Sequence, residues 1–155
     1  MQVELGRRTR RTWAPSAREV GRWAAAALGR RGAGSELTVQ IVGTAESRRL
    51  NREYRGQDHA TNVLSFPAVS VMAMPVRTTP RPLGDLVICA AVLKREAREQ
   101  HKSARAHWAH LVVHGSLHLI GYDHEHDDQA MRMERREVAI LKNLGFPNPY
   151  IGRSS

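Results

Sequence analysis

Apolar positions along the chain switch between two periods. "PSAREVGRWAAAALGRRGAG" carries them at helical spacing, with Ser16 and Glu19 set as a capping box and glycines at 29, 32 and 34 to end the helix. "ELTVQIVG" then places Leu37, Val39 and Ile41 at every second residue, the period of a half-buried strand. Thr44 caps a short helix over "AESRRLNREYRG", and "TNVLSFP", rich in β-formers, reads as a strand that stops at Pro67. "AVSVMAMPVRTTPRP" has three prolines and no period, so it reads as an exposed loop or loose hairpin. "LGDLVICA" is the next strand, followed by a helix over "AVLKREAREQH". Ser103 opens a long helix, "ARAHWAHLVVHGSLHLIG", which Gly121 closes. Asp128 opens a last helix, "QAMRMERREVAILKNLG", stopped by Gly145 and Pro147. Strands interleaved with helices around one small sheet leave α/β and α+β as the fold classes.

A chain of 155 residues without internal repeats suits a single domain over 1–155, large enough for a hydrophobic core. Its longest apolar candidate, "RWAAAALG", falls well short of the roughly 18 residues of a membrane span. The beginning, "MQVELGRRTRRTW", lacks the apolar stretch and cleavage site of a secretory signal, so a cytoplasmic location without membrane contact is expected. One cysteine, Cys89, excludes an internal disulfide; burial at a strand end is its expected role. Charge narrows the partners further. Lys and Arg number 24 against 15 Asp and Glu, a net +9, which favours polyanions, nucleic acid ahead of anionic lipid. An arginine-rich solvated surface would give the same balance. Residues 1–15, with "RRTRR", read as a flexible basic arm, either touching RNA or simply solvated.

The candidate chemistry lies in "HGSLHLIGYDH", residues 114–124. Helix residues four apart point within about 40° of one another and sit about 6 Å apart along the axis, so His114 and His118 can face one ion. Gly121 lets the chain leave the helix at positive φ, and His124 can return to the ion from the other side. Three imidazoles suit zinc and leave the open position of a catalytic site. The spacing equals that of the metzincin H-E-x-x-H-x-x-G-x-x-H at every ligand and at the glycine. Gly115, however, stands where metzincins carry their glutamate base, which disfavours peptide hydrolysis by that route. The carboxylates of "ERREV" and "EHDD" do not have the spacing to replace it. A metal can still activate attack on a phosphodiester, the bond a basic protein is suited to meet. His107 and His110 lie upstream on a nearby face and are expected to orient ligands or to be solvated.

Together, "HGSLHLIGYDH", "YRGQDHATNVLSFP" and "LGDLVICA" resemble the YbeY family of bacterial metal-dependent endoribonucleases, from about "ELTVQIVG" to "ILKNLGF". The resemblance implies an α+β fold, a small mixed four-stranded sheet flanked by about five helices, with the zinc site at the end of the long central helix. It implies one zinc ion per chain on His114, His118 and His124, and cutting of single-stranded RNA. It further implies work on ribosomal RNA with the small ribosomal subunit, notably 3′-end maturation of its RNA, and ribosome quality control. The family's Y-R arginine, implicated in catalysis, matches Arg55. A guanidinium fork fits phosphate and stays charged at any working pH. Asp123 would orient His118 or His124, or stabilise the turn. Ser116 replaces a residue that is more often larger and apolar. Two rival readings follow from the same residues: a non-catalytic ribosome-assembly factor in which zinc staples an RNA-binding fold, and a zinc metalloprotease with a base from elsewhere.

Overall fold

A computed structural model describes residues 1–9, 12–68, 81–122 and 126–150. Strands β1 (Gln2–Arg7), β2 (Ser35–Val42), β3 (Val63–Pro67) and β4 (Arg81–Cys89) form one sheet in the order β1-β2-β4-β3. β2 runs parallel to β1 and β4, whereas β3 runs antiparallel to β4, so the sheet is mixed. Among the described residues there are five α-helices: α1 (Ala17–Leu28), α2 (Thr44–Arg55), α3 (Ala90–Glu99), α4 (Ala104–Leu119) and α5 (Asp127–Asn143). This is the α+β arrangement the resemblance implies.

The main core lies on one face of the sheet. Leu37, Val39 and Ile41 of β2 and Leu86 and Ile88 of β4 meet Val20, Trp23 and Ala27 of α1, Leu111, Val112 and Leu117 of α4, and Met133, Ile140 and Leu141 of α5. Among the described residues α2 covers the other face, with Leu50 over Val42, Leu64 and Val87. α4 lacks a polar stripe through its middle: every residue from His107 to Val113 is buried. A helix apolar all round belongs at the centre of a domain, and here it carries the histidines.

Three local expectations need correction. Residues 2–7 are not part of a flexible arm. They form an edge strand paired with Glu36–Ile41, in which Met1, Val3 and Leu5 lean on the core between outward Gln2 and Glu4. The period of two is legible in "MQVEL", but it is short and the arginines after it dominate the composition. Arg8 prolongs the tie, its N–H donating to the Ile41 carbonyl at 2.8 Å and its guanidinium pairing with Glu46. Thr44 is the first residue of α2; Gly43 holds the cap position without a side-chain bond. α5 starts at Asp127 with His126 as its cap. Residues 69–80, most of the expected loop or hairpin, lie outside the described residues, while Arg81 and Pro82 already belong to β4.

The glycine after the first histidine has a packing reason. A Cβ on Gly115 would lie 2.7 Å from Leu86 Cδ2 and 3.3 Å from Ser65 Oγ, so α4 crosses β3 and β4 too closely for a side chain. Gly84 serves the same crossing from the sheet. Its φ is +146°, and a Cβ there would lie 2.5 Å from the Phe66 carbonyl oxygen and 2.8 Å from Leu119 Cδ2.

Candidate metal and RNA site

Four histidines rise along α4. Consecutive ring centroids are 5.9 Å apart from His107 to His110, 6.2 Å from His110 to His114, and 4.7 Å from His114 to His118. The closest pair is the one read as ligands, and both rings are half-buried at the end of the helix. Ser103 caps α4, its hydroxyl accepting from Ala106 N–H at 3.0 Å. Gly121 has the expected positive φ, +101°, as the chain leaves the helix. Asp123 and His124, expected as orienting carboxylate and third ligand, lie outside the described residues.

Sequence reasoning passed over Glu137. It belongs to "ERREV", whose carboxylates lack the sequence spacing to join the histidine motif. α5 packs against α4 and brings Glu137, 0% exposed, to the histidine row. His114 Nδ1–H donates to Glu137 Oε1 at 2.6 Å, and His110 Nε2–H donates to Oε2 at 2.9 Å. The Tyr150 hydroxyl also donates to Oε2. Burial pushes the Glu137 pKa up, but the hydrogen bonds from His110 and His114 outweigh it and bring it down to about 2. Glu137 is therefore a carboxylate with an anion's full set of donors, not a free base for water. A signal was available: a glutamate two positions before "AIL" on an otherwise amphipathic helix falls on its apolar face, where a charge needs partners.

His107 and His110 are buried, not solvated. Burial also lowers the His110 pKa, against the pull of Glu137, which favours the neutral imidazole. His107 Nε2–H donates to Glu96 Oε1 at 2.8 Å, and Asn62 Nδ2 donates to the same oxygen at 2.9 Å. Burial raises the Glu96 pKa, yet these two bonds hold it below the usual carboxylate range. The bridge fastens the loop that follows Arg55 to α3 and α4. The loop also folds back on its own helix. Asn51 Nδ2 donates to the His59 carbonyl at 2.9 Å, and Ser47 Oγ both donates to and accepts from the Thr61 backbone at 3.0 Å.

Arg55 is the exposed last residue of α2. Its helix carries three further exposed arginines, all in ion pairs: Arg48 holds Asp58 with two bonds of 2.8 and 3.0 Å, Arg52 lies 3.8 Å from Asp58, and Arg49 reaches Glu53 and Glu46. Arg48 also keeps the Asp58 carboxyl below its ordinary pKa. Among the described residues Arg55 makes no ion pair, and no hydrogen bond joins it to the histidines. Cys89 is buried and free, as expected, and Ser116 is buried against the core.

The donor set suits a divalent metal. Nitrogen and oxygen atoms of His110, His114 and Glu137 lie within 4.8 Å of one another, a spacing at which a metal could be held, while both Glu137 oxygens are engaged by hydrogen bonds. An imidazole that donates through Nδ1 offers its Nε2 lone pair, the form a ligating imidazole takes. Imidazole at helical spacing is the chemistry of zinc and its first-row neighbours.

A family model described as Endoribonuclease YbeY matches residues 8–145. The chain belongs to the YbeY family. The match spans every element except β1, and so includes Arg55, the four histidines of α4 and Glu137. A Pseudomonas fluorescens protein named Endoribonuclease YbeY is 50% identical over 151 residues, covering 97% of this chain and 96% of its own. A Halorhodospira halophila protein of the same name is 53% identical over 137 residues, 88% of each. The solution structure of TM1509 from Thermotoga maritima shares the fold, with a TM-score of 0.56 at 20% identity, over 93% of this chain and 92% of that one.

Proposed function

We propose that this YbeY-family chain is a metal-dependent endoribonuclease that cuts single-stranded RNA during ribosomal RNA processing. Its sites are the 3′ end of the small-subunit RNA and RNA of defective ribosomes, in the cytoplasm. The observation that carries this reading is 50% identity, over nearly the whole length, to a protein named as an endoribonuclease. Among the described residues no helix is long and apolar enough to cross a membrane.

His114, His118 and His124 hold one zinc ion in this account. Bound there, zinc supplies Lewis acidity to a phosphodiester and makes a nucleophile available near neutral pH. The chain's own residues do the rest. His114 and His118 present neighbouring rings from successive turns. Arg55, in no ion pair among the described residues, offers both arms of its guanidinium to one phosphate. The surplus of positive charge steers the RNA backbone in. Glu137, sealed among His110, His114 and Tyr150, is not placed to serve as a peptidase base, so the protease reading loses its only nearby carboxylate among the described residues.

Mapping ribosomal RNA termini in cells lacking the protein tests the reading. Unprocessed small-subunit 3′ ends should accumulate, disappear when the wild-type chain is supplied, and persist when His118→Ala is supplied. Normal termini in the deleted cells would overturn it. Full rescue by both His118→Ala and Arg55→Ala would favour a non-catalytic assembly factor.

A further inference from the structure

We propose that Glu137 is the positioning residue of the metal centre: clamped by Tyr150, it holds His114 in the Nδ1–H form that leaves Nε2 for a divalent cation. The proposal rests on the metal reading above and adds to it a residue from α5 and one from the chain's C-terminal segment.

The geometry makes Glu137 an orienting group rather than a ligand. Oε1 already accepts from His114 Nδ1–H at 2.6 Å, and Oε2 accepts from His110 and from the Tyr150 hydroxyl. A carboxylate that turned to an ion would abandon these donors while remaining fully buried, leaving His110 and Tyr150 without their acceptor. As an acceptor it does two things at once. It selects one of two tautomers of His114, and it makes that ring more basic at the other nitrogen. His110, 2.9 Å from Oε2 and 3.3 Å from the Tyr150 hydroxyl, holds the carboxylate's second arm, so the carboxylate cannot rotate away from His114.

Tyr150 is placed by the chain's own turn chemistry. Its backbone N–H donates to Asn148 Oδ1 at 2.8 Å, closing an Asx turn over residues 148–150. The segment before it folds back on α5, with Phe146 N–H donating to the Leu141 carbonyl at 2.8 Å and the Phe146 ring standing edge-on to Trp23 at 5.8 Å. The stretch "GFPNPY" thereby reaches the histidine row through one hydroxyl. The family model ends at residue 145, before this segment.

Two measurements on the full-length chain test the proposal. Long-range proton–nitrogen correlation of the imidazoles reads the His114 tautomer in metal-free protein. Titration with Co²⁺ against a competing chelator reads affinity, and the ligand-field absorption reports the ligand set. Wild type should show the Nδ1–H form and bind one Co²⁺. Glu137→Gln keeps an acceptor but loses the charge, and should bind Co²⁺ about 10- to 100-fold more weakly with the absorption shape unchanged. Glu137→Met should leave His114 as a mixture of tautomers. Tyr150→Phe should weaken binding in the same direction by less than tenfold. An Nε2–H His114 in wild type overturns the proposal, as does wild-type affinity in both Glu137→Gln and Tyr150→Phe. A changed absorption shape in Glu137→Gln overturns it too, because the carboxylate is then itself a ligand. Should Glu137→Gln not fold, Tyr150→Phe and the wild-type tautomer decide. A wild-type chain that binds no Co²⁺ overturns the metal reading, and this proposal with it. Normal wild-type binding that the two variants leave intact overturns this proposal alone.

Discussion

Replacing Gly84 by alanine should destabilise the chain far more than replacing Gly115, although both glycines lie where α4 crosses the sheet. At Gly84 the new methyl meets backbone, the Phe66 carbonyl oxygen at 2.5 Å and Pro67 Cα at 3.1 Å, in a strand held in register by β4. Overpacking of that kind costs about 1–3 kcal/mol. A φ of +146° adds a strain of about 1–3 kcal/mol for a residue with a Cβ. Restricting the unfolded chain returns about 0.4–1 kcal/mol, for a net loss centred on about 3 kcal/mol, between bounds of about 1 and about 6 kcal/mol. At Gly115 the first contact, at 2.7 Å, is the tip of the Leu86 side chain, which can move, and alanine gains about 1 kcal/mol of helix propensity. With overpacking of about 1–3 kcal/mol set against that gain, the net is about 0–2 kcal/mol. Urea unfolding of metal-free protein, with unchanged m-values, measures both. Gly115→Ala costing as much as Gly84→Ala, or Gly84→Ala within about 0.5 kcal/mol of wild type, would refute the account of the crossing.

Three further expectations follow from the same geometry. Glu96→Ala strips the shared acceptor from buried His107 and from Asn62, and should cost about 2–3 kcal/mol and speed proteolysis within residues 56–62; unchanged proteolysis would separate that loop from the bridge. The folded pKa of Glu137, about 2, lies below its ordinary 4.5, so the stability it contributes is present above about pH 4.5 and is lost as pH falls toward 2. Acid titration of metal-free wild type should show that loss, and Glu137→Gln should flatten it; parallel curves would contradict the assignment. Arg55→Ala should lower kcat/KM on single-stranded RNA by about 10- to 100-fold, the worth of charge-assisted bonds to phosphate, with metal content unchanged. Equal kcat/KM would remove Arg55 from the site.

The sequence made the elements with long, clean periods legible: the alternation of Leu37, Val39 and Ile41, the cap at Ser103 and the stop at Gly121 all recur in the structure. β1 was hidden because an edge strand needs only a short alternation, and "RRTRR" pulled the reading toward charge. Glu137 was hidden for a different reason. Its partners are 23 and 27 positions away on another helix, a contact that follows from the packing of α4 on α5 and from no local spacing. Gly115 is visible in the sequence as a position without a side chain, but the cause, the approach of Leu86 and Ser65, exists only once the helix lies on the sheet.

The most direct test of the central claim, that histidines on α4 hold the metal with which this chain cuts RNA, is a side-by-side cleavage assay. Wild type and His118→Ala, purified identically and with metal content quantified, are given a labelled single-stranded RNA before and after stripping and re-addition of zinc. The account predicts that wild type loses activity on stripping and regains it with zinc, while His118→Ala holds little metal and cuts in neither condition. Cleavage by His118→Ala at the wild-type rate would contradict it.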